Sequence, residues 1–254
     1  MCRWFRKQRC KRIIINMHIL ITRQIDQSKK FSNILNNLNI KNTIFPVICI
    51  KKIKPEKKYI DNIKNADFII FTSQNSVTAL IENFQISDLN EKKVAAIGKS
   101  TKELLCNVGI KVDICPKSEF TSEGLLKEIK NNNIRNKKIV IIKGLGGRKY
   151  LQDHLSQDNY LYEDINVYSR NFPEKLSLNL NDLVKDITHI CITSVDILNY
   201  FKKIVDIQEV SDLKNIVFIS GNEKIANKIK ADFPKNEILV SLNPTNEAML
   251  KTIT

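Results

Sequence analysis

The sequence is poor in the residues that build metal centres. It has three histidines, His18, His154 and His189, with no H-E-x-x-H, and six cysteines, Cys2, Cys10, Cys49, Cys106, Cys115 and Cys191, with no C-x-x-C pair. Thiols scattered in this way read as reduced cytosolic cysteines, and no metal is expected. Long apolar runs are missing too. The stretch from Ile13 to Ile21 is broken by Asn16 and His18, is too short to span a bilayer, and lacks a small-residue cleavage site. Aromatic residues make up only 7% and fall mainly on strand and helix core faces, which argues against a nucleic-acid reader. A cytoplasmic protein is expected, with neither a membrane nor a nucleic acid as partner.

What is present is globular. The chain has 254 residues, 43% hydrophobic and 27% charged, enough for two ordinary domains with a core each. A net charge of +14 points to anionic partners. Arg3, Arg6, Lys7, Arg9, Lys11 and Arg12 stand among the first sixteen residues with no acid, leaving +8 on the remainder. Residues 1–16 are expected to form a basic, disordered extension.

Short apolar runs alternate with helical periodicity. Ile19 to Thr22, Phe68 to Phe71, Val94 to Ile97, Ile139 to Ile142, Ile190 to Thr193 and Ile216 to Ser220 read as buried strands, each followed by an amphipathic stretch. Strand and helix in alternation predict parallel sheets covered on both faces. The chain also repeats itself. Asp67-Phe-Ile-Ile-Phe-Thr72-Ser73 recurs as Thr188-His-Ile-Cys-Ile-Thr193-Ser194 at an offset of 121, and Ile19-Leu-Ile-Thr22 as Val140-Ile-Ile-Lys143 at the same offset. Val94-Ala-Ala-Ile-Gly98 returns as Val217-Phe-Ile-Ser-Gly221, and Thr121-Ser-Glu123-Gly-Leu-Leu126 as Thr245-Asn-Glu247-Ala-Met-Leu250, at offsets of 123 and 124. The fold class predicted is α/β: two doubly wound, flavodoxin- or Rossmann-like parallel-sheet domains from an internal duplication.

In such sheets ligands bind where strands end and helices begin. Thr72, Ser73, Asn75 and Ser76 follow one strand; Gly98, Lys99, Ser100 and Thr101 the next; Lys143, Gly144, Gly146, Gly147 and Arg148 a third. Thr193, Ser194, Gly221 and Asn222 complete the set. Any single loop of this kind is explained by helix capping. Five together, two of them with cations, point to an anion site made of N–H groups, hydroxyls and charge. The glycine run is neither G-x-G-x-x-G, since Lys149 takes the third glycine's place, nor the Walker pattern, and no dinucleotide is expected. No Ser/His/Asp triad, paired carboxylates or activated thiol can be assembled.

The succession of motifs resembles the uroporphyrinogen-III synthase family over Met17 to Thr254. It rests on Ile19-Leu-Ile-Thr-Arg23, Phe71-Thr72-Ser73-Gln-Asn75-Ser-Val77 and Ile97-Gly98-Lys-Ser-Thr101. Thr121-Ser-Glu-Gly124-Leu-Leu, Lys143-Gly-Leu-Gly-Gly-Arg148, Val167-Tyr168-Ser-Arg170 and Pro244-Thr-Asn-Glu247-Ala-Met-Leu complete it. The resemblance implies residues 13–47 plus 171–254 as one domain and 48–170 as the other. Two linker strands, around Phe45-Pro46-Val47 and Asn166-Val167-Tyr168, would join them. It implies cyclisation of the linear tetrapyrrole hydroxymethylbilane, with loss of water and inversion of the last ring, by a monomer that needs no cofactor.

Tyr168 matches the tyrosine proposed to assist departure of the hydroxyl. Arg23, Thr72, Ser73, Asn75, Lys99, Ser100, Thr101, Lys143, Gly144, Arg148, Thr193, Ser194, Gly221 and Asn222 are the implied substrate contacts. One stretch departs from the family: Gly221-Asn222-Glu223-Lys224 stands where Gly-Pro-Thr-Thr is common, with fewer hydroxyl donors. The alternative reading is a non-enzymatic two-domain binding protein for a small polyanion.

Overall fold

The computed structural model describes residues 17–254 apart from Asn90, Asn133 and Arg135. Residues 1–16, read above as a basic extension, lie outside the described residues. The chain begins β1 (His18–Ile21), α1 (Ile25–Asn37), β2 (Lys41–Ile44), β3 (Cys49–Lys52), α2 (Lys57–Lys64), β4 (Phe68–Phe71) and α3 (Gln74–Ile81). Next come β5 (Lys93–Ala96), α4 (Lys99–Asn107), α5 (Ser122–Asn131), β6 (Ile139–Gly144), α6 (Tyr150–Gln157) and β7 (Tyr162–Asn171). It ends α7 (Leu180–Leu183), β8 (His189–Ile192), α8 (Val195–Ile207), β9 (Val217–Ser220), α9 (Glu223–Asp232), β10 (Ile238–Val240) and α10 (Asn246–Ile253).

Two compact units result, one from the chain up to Cys49 with Asn171–Thr254, the other from Ile50–Arg170. Each contains a five-stranded sheet, ordered β10-β9-β8-β1-β2 in the first and β3-β7-β6-β4-β5 in the second. Register is parallel from β10 through to β2, and from β7 through to β5. The exception is β3. Ile53 N–H donates to Val167 O while Ser169 Oγ donates to Lys51 O, so numbers rise on one strand as they fall on the other and the pair is antiparallel.

The runs of four apolar residues are strands because both faces of each sheet are covered. Ile69, Phe71, Val94, Val140 and Ile142 enter one cluster; Phe68, Ile70, Ala95, Ile139 and Ile141 enter another. In the first unit Leu20, Ile190, Ile192 and Phe218 face one way, and Ile19, Ile21, Cys191 and Ile219 the other. Neighbours along a strand point to opposite faces, so an all-apolar run is stable only with a layer on each side. Among the described residues no helix is long and apolar enough to cross a membrane.

One sequence reading shifts. The central strands fall within a residue or two of expectation, but Phe45-Pro46-Val47 is not a strand. Its N–H groups at Phe45 and Val47 reach Ile21 O and Thr22 O, and both side chains are fully buried in the first unit. Proline has no N–H to continue a ladder there, so the strand pairing with β7 begins only at Cys49.

Candidate active site

The chain order runs outward in two directions from β1 and β8 in the first sheet; in the second it does so from β4 and β6 as far as β5 and β7, with β3 added outside β7. Loops leaving such a pair diverge and open a crevice at the carboxyl ends. In the second unit that crevice is a cleft of about 210 Å³, lined among others by Thr72, Lys143, Gly144, Arg148, Gln152, Tyr168 and Arg170.

Tyr168 is the centre of it. The register between β6 and β7 slips at this point: Lys143 lies opposite Asn166 but Gly144 opposite Tyr168, so Val167 is passed over. Leu145 N–H donates to Tyr168 O at 2.7 Å, closing the ladder beyond the slip. The irregularity sends Val167 into the core and lays the Tyr168 ring across Gly144. A Cβ on Gly144 would stand 2.5 Å from Cζ of that ring, so the ring's position requires glycine. The phenol is 1% exposed. Its oxygen lies 3.1 Å from Ser73 Oγ and accepts from Arg170 Nη2 at 3.1 Å, while the Arg170 guanidinium sits over its ring at 5.4 Å.

These contacts orient the phenol proton. Ser73 Oγ caps α3 by accepting from Ser76 N–H at 3.0 Å, which leaves its own hydrogen available to Tyr168. The Ser73–Tyr168 bond can run either way; when Ser73 donates to the phenol oxygen alongside Arg170, the phenolic O–H is free to point into the cleft. A phenol in that state is a hydrogen-bond donor for a departing oxygen.

Beside it, Lys143 is committed. Its Nζ lies 3.2 Å from Asp164 Oδ2, which also accepts from Gln152 Nε2 at 3.0 Å. Asp164 Oδ1 is buried without a partner among the described residues. Arg148 is more open: it pairs with Glu123 and lies 5.6 Å from the Tyr150 ring, yet two thirds of its side chain is exposed. The Glu123 carboxyl is held below its ordinary pKa, first by its own backbone N–H and then by Arg148 and Thr121.

The other residues singled out from the sequence serve partly as caps. Ser194 Oγ accepts from Ile197 N–H at 3.2 Å and Asn222 Oδ1 from Ile225 N–H at 3.0 Å. Thr72 Oγ1 donates to Ile142 O at 3.2 Å, and Ser100 O accepts from Gln74 Nε2 at 3.1 Å. Thr101 is buried in α4, Lys99 is exposed near Glu103, and Asn75 is half-buried at the start of α3. Thr193 and Gly221 are in the first unit with Arg23, which donates to Asn246. Arg170, Asp164 and Gln152 were not singled out. Alternation along β7 gives no guide to them, because Tyr168 joins Ile165 and Val167 in one core cluster and the period breaks at the register slip.

The comparisons agree with this architecture. The model of the family described as uroporphyrinogen-III synthase HemD matches residues 29–251. A Methanocaldococcus jannaschii protein that carries a provisional uroporphyrinogen-III synthase name is 28% identical over 246 residues, 93% of this chain and 98% of its own. The uroporphyrinogen-III synthase of Proteus mirabilis is 25% identical over 169 residues, covering 63% of this chain and 84% of its own. The solved uroporphyrinogen-III synthetase of Helicobacter pylori shares the fold with a TM-score of 0.63 at 17% identity, over 92% of this chain and 97% of that one. With its two α/β units and a family match running through both, this chain belongs to the uroporphyrinogen-III synthase family.

Proposed function

We propose that the protein converts hydroxymethylbilane to uroporphyrinogen III, and that Tyr168 assists departure of the hydroxyl while the strand-end loops hold the substrate's carboxylates. The observation that carries the reading is the Tyr168 phenol, laid over Gly144 and held between Arg170 and Ser73 in the wall of a cationic cleft.

In the first step the pyrrole that bears the hydroxymethyl group supplies the electron pair. The carbon–oxygen bond breaks, its electrons leave on oxygen, and the ring becomes a cationic azafulvene. Tyr168 donates a hydrogen bond to that oxygen, which takes up a proton and departs as water. The last ring, at the other end of the chain, attacks the azafulvene carbon through its substituted α-carbon to give a spiro intermediate. Its bond to the neighbouring methylene then breaks, and the ring rejoins that methylene through its free α-carbon. Loss of the proton there completes the macrocycle with no net redox change. Because the substrate supplies the electrons, the protein's work is positioning and charge stabilisation. Arg148 and the N–H groups at the starts of α3 and α6 suit carboxylate side chains.

The test is a coupled assay with freshly generated hydroxymethylbilane and chromatographic separation of the isomers. The type III isomer is expected from the protein without added metal or nucleotide. Only the type I isomer, at the rate of the blank reaction, would refute the assignment.

A further inference from the structure

Lys143, Arg148 and Arg170 all line the cleft of the second unit. In a cleft that takes a polycarboxylate, the default task of each cation is to hold a carboxylate. Arg148 suits it, being largely exposed beside Glu123. Arg170 is aimed elsewhere. Its Nη2 donates to the Tyr168 phenol oxygen at 3.1 Å, and its Cζ lies 5.4 Å from the centre of the same ring.

The strand accounts for the placement. β7 runs on to Asn171, past its last partner on β6, where Gly144 lies opposite Tyr168. Side chains two apart on a strand share a face, so Arg170 stands next to Tyr168 and its guanidinium reaches back over the ring. Arg170 is half-buried and Tyr168 fully so. A charge in such a wall acts on its neighbour with far less screening than one in open solvent.

The phenol oxygen has two lone pairs and one hydrogen. Arg170 occupies one lone pair whichever way the bond to Ser73 runs, so the directions left to the O–H are restricted. As the substrate hydroxyl departs, the phenol lends its hydrogen to the leaving oxygen, and negative charge builds on its own oxygen. A guanidinium nitrogen 3.1 Å away stabilises that build-up more than it stabilises the resting phenol. Its contribution therefore falls on the transition state, whereas a carboxylate contact would already be made in the bound ground state.

We infer that Arg170 is a positioning residue for the cyclisation, acting through the Tyr168 phenol and not as a ligand of a substrate carboxylate. The inference rests on the role proposed above for Tyr168 and gives Arg170 a place in that step. A residue that works only through another has two signatures. Its removal costs no more than removal of the group it serves, and it costs nothing once that group is gone.

The experiment is a double-mutant cycle in the isomer-resolved coupled assay, with Arg170→Met and Arg170→Lys made in the wild-type and Tyr168→Phe backgrounds. Arg170→Met is expected to lower kcat about 3- to 30-fold, by no more than Tyr168→Phe does, and to change the KM for hydroxymethylbilane by less than about threefold. In the Tyr168→Phe background the same substitution should cost less than about twofold. Arg170→Lys keeps the charge without the planar fork, and its kcat should fall between wild type and Arg170→Met. Magnetic resonance of protein isotopically labelled at tyrosine Cζ gives a readout apart from turnover. The Tyr168 signal, identified by its loss in Tyr168→Phe, should shift in Arg170→Met.

Equal effects of Arg170→Met in the two backgrounds overturn the inference. So does a rise in KM that added salt narrows, which marks a carboxylate contact, and so does a Tyr168 signal that Arg170→Met leaves in place. If Arg170→Met does not fold, Arg170→Lys decides: a severalfold loss of kcat confined to the background with Tyr168 upholds the inference, and equal effects in both overturn it. A wild-type protein that forms no type III isomer refutes the proposed function and this inference together. Type III product with a clear loss in Tyr168→Phe, beside additive effects of Arg170, refutes the role of Arg170 alone.

Discussion

Replacing Gly144 with alanine tests the fold and the chemistry in one substitution. The new methyl would lie 2.5 Å from Tyr168 Cζ, 2.6 Å from Cε2 and 2.9 Å from the phenol oxygen. Carbon atoms settle about 3.5–4.0 Å apart, so the ring has to retreat by about 1 Å. Tyr168 is fully buried between β6 and the core, and the retreat compresses neighbours already in contact. Overpacking of this kind costs about 1–3 kcal/mol, or a melting temperature lower by roughly 2–10 °C for a chain of this size. The same movement pulls the phenol out of reach of Ser73 and Arg170, both now at 3.1 Å.

A misplacement of about 1 Å at a reacting centre costs on the order of 100-fold in rate. Gly144→Ala should therefore lose about 10- to 100-fold in kcat in the isomer-resolved coupled assay. Tyr168→Leu in the same background should restore the melting temperature but not the rate, because it removes the clash together with the phenol. A Gly144→Ala protein with wild-type stability and turnover would show that the ring is not held over the glycine, and the account of the site would fail.

Tyr168→Phe is expected to keep measurable activity, reduced about 3- to 100-fold or ~0.7–3 kcal/mol of barrier, since the electron-rich pyrrole itself drives the hydroxyl out. Complete loss in a folded protein that still binds substrate would point instead to an indispensable acid. Arg148→Ala should raise KM by about 2- to 10-fold, with added salt narrowing the gap to wild type because the side chain is largely exposed; unchanged kinetics would place it outside the binding surface. Acid should weaken the first unit. Burial lowers the pKa of His18 and His189 in the fold, with Lys41 adding to the effect at His18. Between those lowered values and about 6.5 the unfolded chain binds more protons than the folded one, so stability is full above that window and falls as pH drops through it. Denaturant titrations at several pH values should show the loss shrink in His18→Gln and His189→Gln; an undiminished loss in both would assign it to other groups.

The α/β class was legible because its strongest signal is local. Phe68-Ile-Ile-Phe71 can lie inside a sheet covered on both sides and scarcely anywhere else. The strands without such a run, Lys41–Ile44, Cys49–Lys52 and Ile238–Val240, lie at sheet edges and carry exposed or half-exposed residues, so periodicity passes over them. For the candidate site, composition and spacing reached the hydroxyl-rich strand ends, and there the chemistry divides. Ser194 and Asn222 spend their side chains on capping, whereas Ser73 both caps α3 and reaches Tyr168. That Gly144 matters for the ring laid over it depends on a one-residue slip between two strands. Sequence spacing carries no trace of such a slip, since Val167 reads as an ordinary inward-facing strand residue until its neighbour's register is known.

The pairing of β1 with β8 also governs how the chain comes off the ribosome. Ile19 has to find His189, 170 residues later, whereas the unit made from Ile50–Arg170 is contiguous and closes on itself during synthesis. At about 5–20 residues per second, the nascent His18–Ile21 strand waits roughly 10–30 s for its central partner to emerge. Throughout that wait it is an apolar strand with an open edge, the kind of segment that holdase chaperones retain and that seeds aggregation. Moving the chain ends, so that synthesis starts near Asn171 and the original termini are joined by a flexible linker, makes both units contiguous and shortens the exposure. Soluble yield without chaperones should rise in that permutant while the native sheet order is kept.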